Sequence, residues 1–80
     1  MLHPLDSAIA SLRDLHEDSS VTKNIQTKIL EIITILEAKG EPSLRASRAV
    51  CVLEQITDNS SMESYTRTQL FNVLSILSGF

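Results

Sequence analysis

Met62–Leu77, MESYTRTQLFNVLSIL, is the stretch whose reading decides the fold. It is the most regular periodic segment of the chain and carries two of the three aromatic side chains, Tyr65 and Phe71. At about 100° per residue, Met62, Leu70, Val73, Ile76 and Leu77 fall within one arc of roughly 120°, a normal core stripe. Leu74 and Phe71 lie further round and widen the apolar arc to about 200°. A helix with one neighbour does not need that width, so this one either sits between two helices or keeps an apolar edge for another chain.

Working outward, the same period recurs upstream. Helix 3 is expected over about 42–57, with Pro42 in the first turn and Leu44, Ala46, Ala49, Val50, Leu53 and Ile56 as its apolar set. Asp58 to Ser61 form the turn after it, and Ser60 or Ser61 is the expected cap of helix 4, which runs over about 62–78 before Gly79. Helix 2 is expected over about 21–38, capped by Ser19 or Ser20 and stopped at Gly40. Its inward set is Val21, Ile25, Ile29, Ile32, Ile33 and Leu36. These residues are mostly β-branched, but a run this long at i, i+3, i+4, i+7 is too regular for a strand. Helix 1 is expected over about 5–17, with Leu5, Ile9, Leu12 and Leu15 or His16 facing inward, and Pro4, Asp6 or Ser7 marking its start. Asp14, Glu17 and Asp18 crowd its C-terminal end, where the helix dipole disfavours anions, so that end frays unless another helix starts beside it. Short connections make consecutive helices antiparallel neighbours. The expected fold is all-α, an antiparallel up-and-down four-helix bundle formed by residues 1–80 as one domain.

Composition agrees with that reading. A chain of 80 residues is too short for two cores, and 42% hydrophobic with 21% charged residues is ordinary for a folded domain. A domain this small leaves much of its surface exposed and gains from a staple or a partner subunit. Cys51 is the only cysteine, so no intrachain disulfide or Cys-based zinc site can form. Self-association or an unidentified protein partner is the natural alternative, and a reducing, cytoplasmic setting suits the lone thiol. The formal net charge of −3 argues against a nucleic-acid binder. The N-terminus MLHPLDSAIA has neither a basic nor an apolar signal region. The apolar runs Ile29–Leu36 and Leu70–Leu77 are far short of the roughly 20 residues of a membrane span.

An internal repeat is visible. SSVTKNIQTKILEIITIL (19–36) lies over SSMESYTRTQLFNVLSIL (60–77) without gaps, 41 positions on. The serines, Thr27 with Thr68 and the closing Ile-Leu are identical, and Leu30 meets Phe71 off the main stripe. Helix 3 fits between them at a spacing of about 20, with Pro42, Ala46, Val50 and Leu53 in the matching slots. Two origins stay open: a repeated capped helix, or the periodicity that amphipathic helices of similar length share.

Residues able to carry chemistry are sparse. Gly40 and Gly79 are the only glycines, so no phosphate-binding glycine loop exists. His3 and His16 lack helical partners for a metal, Cys51 reads as a small packing residue, and the carboxylates are scattered, so neither a cofactor nor a small-molecule substrate is expected. Arg45, Arg48 and Arg67 are the one cationic group of interest, either for an anion or RNA phosphate, or for pairing with Glu41, Glu54 or Glu63.

Leu53-Glu54-Gln55-Ile56, Met62, Arg67-Thr68 and Phe71-Asn72-Val73, with a weaker match over Val21–Ile25, resemble a small uncharacterised family of all-helical archaeal proteins of similar length, uncharacterised protein family 0147. The resemblance centres on Ser43–Ser75 and implies a four-helix bundle with no assigned activity and no catalytic residues. Family members usually have proline where Thr22 and Glu63 stand and tryptophan at position 71. The resemblance and the residues together lead to a non-enzymatic protein acting through protein contacts, with Leu30 and Phe71 as the candidate surface and Arg45, Arg48 and Arg67 as the alternative.

Overall fold

The computed structural model describes residues 4–19, 21–59 and 62–79. They form the helices α1 (Pro4–Glu17), α2 (Lys23–Glu37), α3 (Pro42–Asn59) and α4 (Ser64–Leu77), with no strand among the described residues. The chain is therefore all-α, as its periodicity requires. α1 packs on α2, α2 on α3, α3 on α4 and α4 back on α1, closing a ring.

Direction follows from residue pairs. Arg67 reaches Thr57 at one end of α3 and α4, while Ala46, Val50 and Leu77 meet at the other, so these two helices run antiparallel. Leu5 and Ile9 share a cleft with Leu36 and Glu37, whereas His16 and Glu17 share one with Leu30 and Ile33, which orders α1 and α2 the same way. Both pairs favour an up-and-down path through the ring.

The ring encloses one core, whose largest fully buried side chains are Leu12, Ile29, Ile32, Leu36, Leu53, Leu70 and Val73. Each contributes about 1.5–3 kcal/mol by leaving water. The inward set expected for α2 is buried in full, Val21 included, although Val21 precedes the helix. On α3 the stripe is Ala46, Ala49, Leu53 and Ile56, and the expected Leu44 is exposed. Two positions before Ala46 is about 200° around the helix, so Leu44 must point away. Val50 and Ile9, expected inward, pack only partly against the core, and Ala8 takes the fully buried place on α1. On α4 the buried residues are Thr66, Leu70, Val73 and Leu77, while Met62 and Ile76 flank them.

The helix starts differ from expectation. α2 is capped by Thr22, whose Oγ1 accepts from the Ile25 amide at 3.4 Å, and not by the serines before it. α4 begins after Glu63, which makes no side-chain cap bond. Ser20, Ser60 and Ser61 lie outside the described residues. The acidic end of α1 meets the start of α2: the Asp18 carbonyl accepts from the Val21 amide and from Gln26 Nε2. Gly40 takes φ 133°, a left-handed value open to glycine, in the connection from α2 to α3.

The repeat extends further than helices 2 and 4. Buried Leu5, Ala8, Leu12 and Leu15 of α1 fall, 41 positions on, upon buried Ala46, Ala49, Leu53 and Ile56 of α3. Ile25, Ile29, Ile32 and Leu36 of α2 fall likewise upon Thr66, Leu70, Val73 and Leu77 of α4. α3 therefore corresponds to α1, while the spacing of about 20 that set it beside helix 4 also lays buried Ala46, Leu53 and Thr57 upon buried Thr66, Val73 and Leu77. Periodicity within one helix cannot keep two helices and the turn between them in register, so the unit repeated is a helical hairpin. The ring then has approximate two-fold symmetry, exchanging α1 with α3 and α2 with α4.

Candidate functional site

Leu30 and Phe71 occupy the same place in the two hairpins and are 49% and 45% exposed. Each lies one residue past a fully buried neighbour, Ile29 or Leu70, and so about 100° off the core direction. Leu30 lines a shallow cleft of about 180 Å³ between α1 and α2, with Arg13, His16, Ile33 and Glu37. Phe71 lies on the edge of α4 turned toward α3, the edge marked by Ser78, which shares a cleft with Ala46 and Val50. The α1–α2 and α3–α4 sides are opposite sides of the ring. Leu30 and Phe71 therefore form two equivalent patches on opposite faces and not one continuous surface. Tyr65 and Leu44 are the other large exposed apolar side chains among the described residues.

The three arginines are not brought together. Arg45, the fourth residue of α3, donates from Nη1 to the Leu36 carbonyl at 2.8 Å. Arg67 stands at the matching position of α4 and donates from Nη1 to the Thr57 carbonyl at 3.0 Å. Thr57 is about 18 Å along α3 from Arg45, so the two guanidiniums work at opposite ends of the bundle. Both carbonyls belong to last turns, where intrahelical donors run out and a cation is favoured by the dipole. Gln26 does the same for Asp18 with a neutral amide at 3.3 Å. Three consecutive connections are thus bridged alike, by the residue whose own amide bonds the residue preceding the helix: Thr22 for Gln26, Glu41 for Arg45 and Glu63 for Arg67. Arg48 is exposed. For Arg45 and Arg67 the acceptors are these backbone carbonyls and not Glu41, Glu54 or Glu63, and ion pairs among the described residues include Arg13–Glu37 at 2.7 Å and Lys28–Glu31 at 3.5 Å.

Two clefts repeat with the hairpins. One of about 530 Å³ is lined by Leu5, Asp6, Ile9, Leu36, Glu37 and Arg45, together with Pro42. Its counterpart of about 270 Å³ is lined by Ala46, Ser47, Val50, Leu77 and Ser78 at the corresponding positions, with Ser43. Asp6 and Glu37 are matched by serines, so the carboxylates are not required by the packing. Arg45 Nε is buried there without a hydrogen-bond partner among the described residues. No three His, Cys, Asp or Glu side chains are placed to share a metal ion among the described residues. Cys51 is exposed, two positions past Ala49 and so turned outward, which corrects its reading as a packing residue. His16 is half-buried beside Leu30, and His3 lies outside the described residues.

The model of an uncharacterised protein family, UPF0147, matches residues 3–79. The chain belongs to this family. The resemblance carried by the second half of the sequence thus extends over both hairpins. A UPF0147 protein of Methanosarcina mazei is 37% identical over 67 residues, covering 82% of this chain and 72% of its own. One from Sulfurisphaera tokodaii is 32% identical over 74 residues, covering 91% and 83%. Among solved structures, the crystal structure of a protein of unknown function, MMP1188, superposes with a TM-score of 0.90 at 26% identity, over 96% of this chain and 89% of that one. The UPF0147 relatives share this family and are uncharacterised, as it is.

Proposed function

We infer that this UPF0147 member is a non-enzymatic bundle that works through protein–protein contacts, self-associating or bridging partners through its Leu30 and Phe71 faces. The observation that carries this is the matched exposure of two large apolar side chains at corresponding positions of the two hairpins. Singly exposed apolar side chains are common on protein surfaces, so what supports contact is their recurrence at corresponding positions of both hairpins. Two opposite faces suit an adaptor or a chain-forming contact as well as a two-fold dimer. Cys51, exposed and free, suits a reducing cytoplasmic setting. No helix is long and apolar enough to cross a membrane among the described residues.

The test is light scattering of the wild type, Leu30→Glu, Phe71→Glu and the double variant, each checked for helix content. The expected result is a wild-type mass above the 8.9 kDa of one chain, reduced by each substitution at unchanged helicity. A wild type that stays at one chain's mass at high micromolar concentration removes self-association, and loss of helix in Phe71→Glu shows that Phe71 is core.

A further inference from the structure

We propose that two copies of this chain can exchange hairpins, α1–α2 of one packing on α3–α4 of the other through the contacts that close the single-chain bundle. The argument begins with what a lone hairpin lacks. The buried stripe of α1 and α2, from Leu5 to Leu36, faces inward, and α3 and α4 cover it through the α2–α3 and α4–α1 seams. The second hairpin presents the same stripe 41 positions on, from Ala46 to Leu77, and needs the same cover.

Only the connection Ala38–Glu41 decides whether that cover comes from the same chain or from another. It is short, its first residue is extended at φ −67° and ψ 163°, and it turns at Gly40 with φ 133°. Every core contact and the Arg45–Leu36 bridge can be remade between copies, with Arg45 of one chain reaching Leu36 of the other. The closed monomer and the exchanged dimer then differ in the connection and in the entropy of association. A connection this short gives an effective concentration of the order of millimolar. Straightening or shortening it removes that advantage and leaves the intermolecular bundle as the way to bury the stripes.

This dimer does not use the Leu30 or Phe71 faces, so it stands or falls separately from the function proposed above. The experiment compares three full-length proteins by light scattering and circular dichroism: the wild type, a variant lacking Lys39 and Gly40, and one with a long glycine–serine insertion after Gly40. With Leu30→Glu and Phe71→Glu built into each protein, so that the faces proposed above do not contribute, the deletion variant is expected at about twice 8.9 kDa with wild-type helix content, and the insertion variant at one chain's mass. Differently labelled deletion dimers are expected to trade subunits only after denaturation. A deletion variant that is monomeric overturns the proposal. So does one that loses its helices, because exchange would have preserved them.

Discussion

Arg67 Nη1 lies 3.0 Å from the carbonyl oxygen of Thr57, so the first turn of α4 supplies the donor that the last turn of α3 lacks. A hydrogen bond from a charged donor contributes about 1.5–3 kcal/mol, and a helix-end carbonyl left half-buried without one carries a desolvation cost. Arg67→Met keeps the apolar stem and removes the donor. It is expected to lower unfolding free energy by about 1–2 kcal/mol in urea titrations at unchanged slope. Arg67→Lys is expected to recover part of the loss, since a single ammonium reaches the oxygen with less fixed geometry.

Val73 is fully buried on α4, with exposed Ser75 about 200° round the helix from it. Val73→Asp buries a charge with no partner and is expected to cost about 4 kcal/mol or more, a large part of the stability of a domain this size. The measurement is helix content at 25 °C. A variant that melts with the wild type would show that α4 has been turned the wrong way round.

Thr66 is 3% exposed where the other hairpin has Ile25. The Thr66 hydroxyl is not among the buried side-chain atoms left without a partner, and Thr66→Val keeps the shape while replacing it with a methyl group that extends the apolar stripe. The substitution is expected to stabilise by about 1 kcal/mol, which for a domain of this length raises Tm by roughly 4–8 °C. A lower Tm would show that the hydroxyl is bonded in solution.

Glu63 precedes α4 at φ −67° and ψ 152° and caps nothing with its side chain. Proline fits that φ and reduces the freedom of the unfolded chain, so Glu63→Pro is expected to stabilise by about 0.4–1 kcal/mol. Thr22 has nearly the same angles but accepts from the Ile25 amide, and Thr22→Pro loses that bond. Thermal melts of the two variants side by side are expected to separate, with Glu63→Pro the higher.

The legible parts of the fold were those written in large apolar side chains. The isoleucines of α2 are so regularly spaced that every one expected inward is buried. On α3 the inner face begins with Ala46 and Ala49, and counting apolar residues set Leu44 beside them although helical geometry turns it outward. The hairpin repeat stayed hidden for the same reason, since α1 and α3 share burial but few identities, and only Ala8 with Ala49 and Leu12 with Leu53 match along the buried stripe. Leu30 and Phe71 were found by their place on the wheel, whereas their separation onto opposite faces needed the ring of helices. The arginines were visible as charges, but their acceptors are backbone carbonyls, which no side-chain pattern announces.

The seam between α1 and α4 is the one contact of the ring made by helices that are not consecutive. Every other seam joins neighbours across a short connection and can form at small loop-closure cost, while this one requires most of the chain to be in place. Assembly is thus expected to proceed through its consecutive pairs and finish at this seam, and opening to begin there. Amides of α1 and α4 will exchange with deuterium through a local separation, ahead of those of α2 and α3, which open only when the whole bundle does.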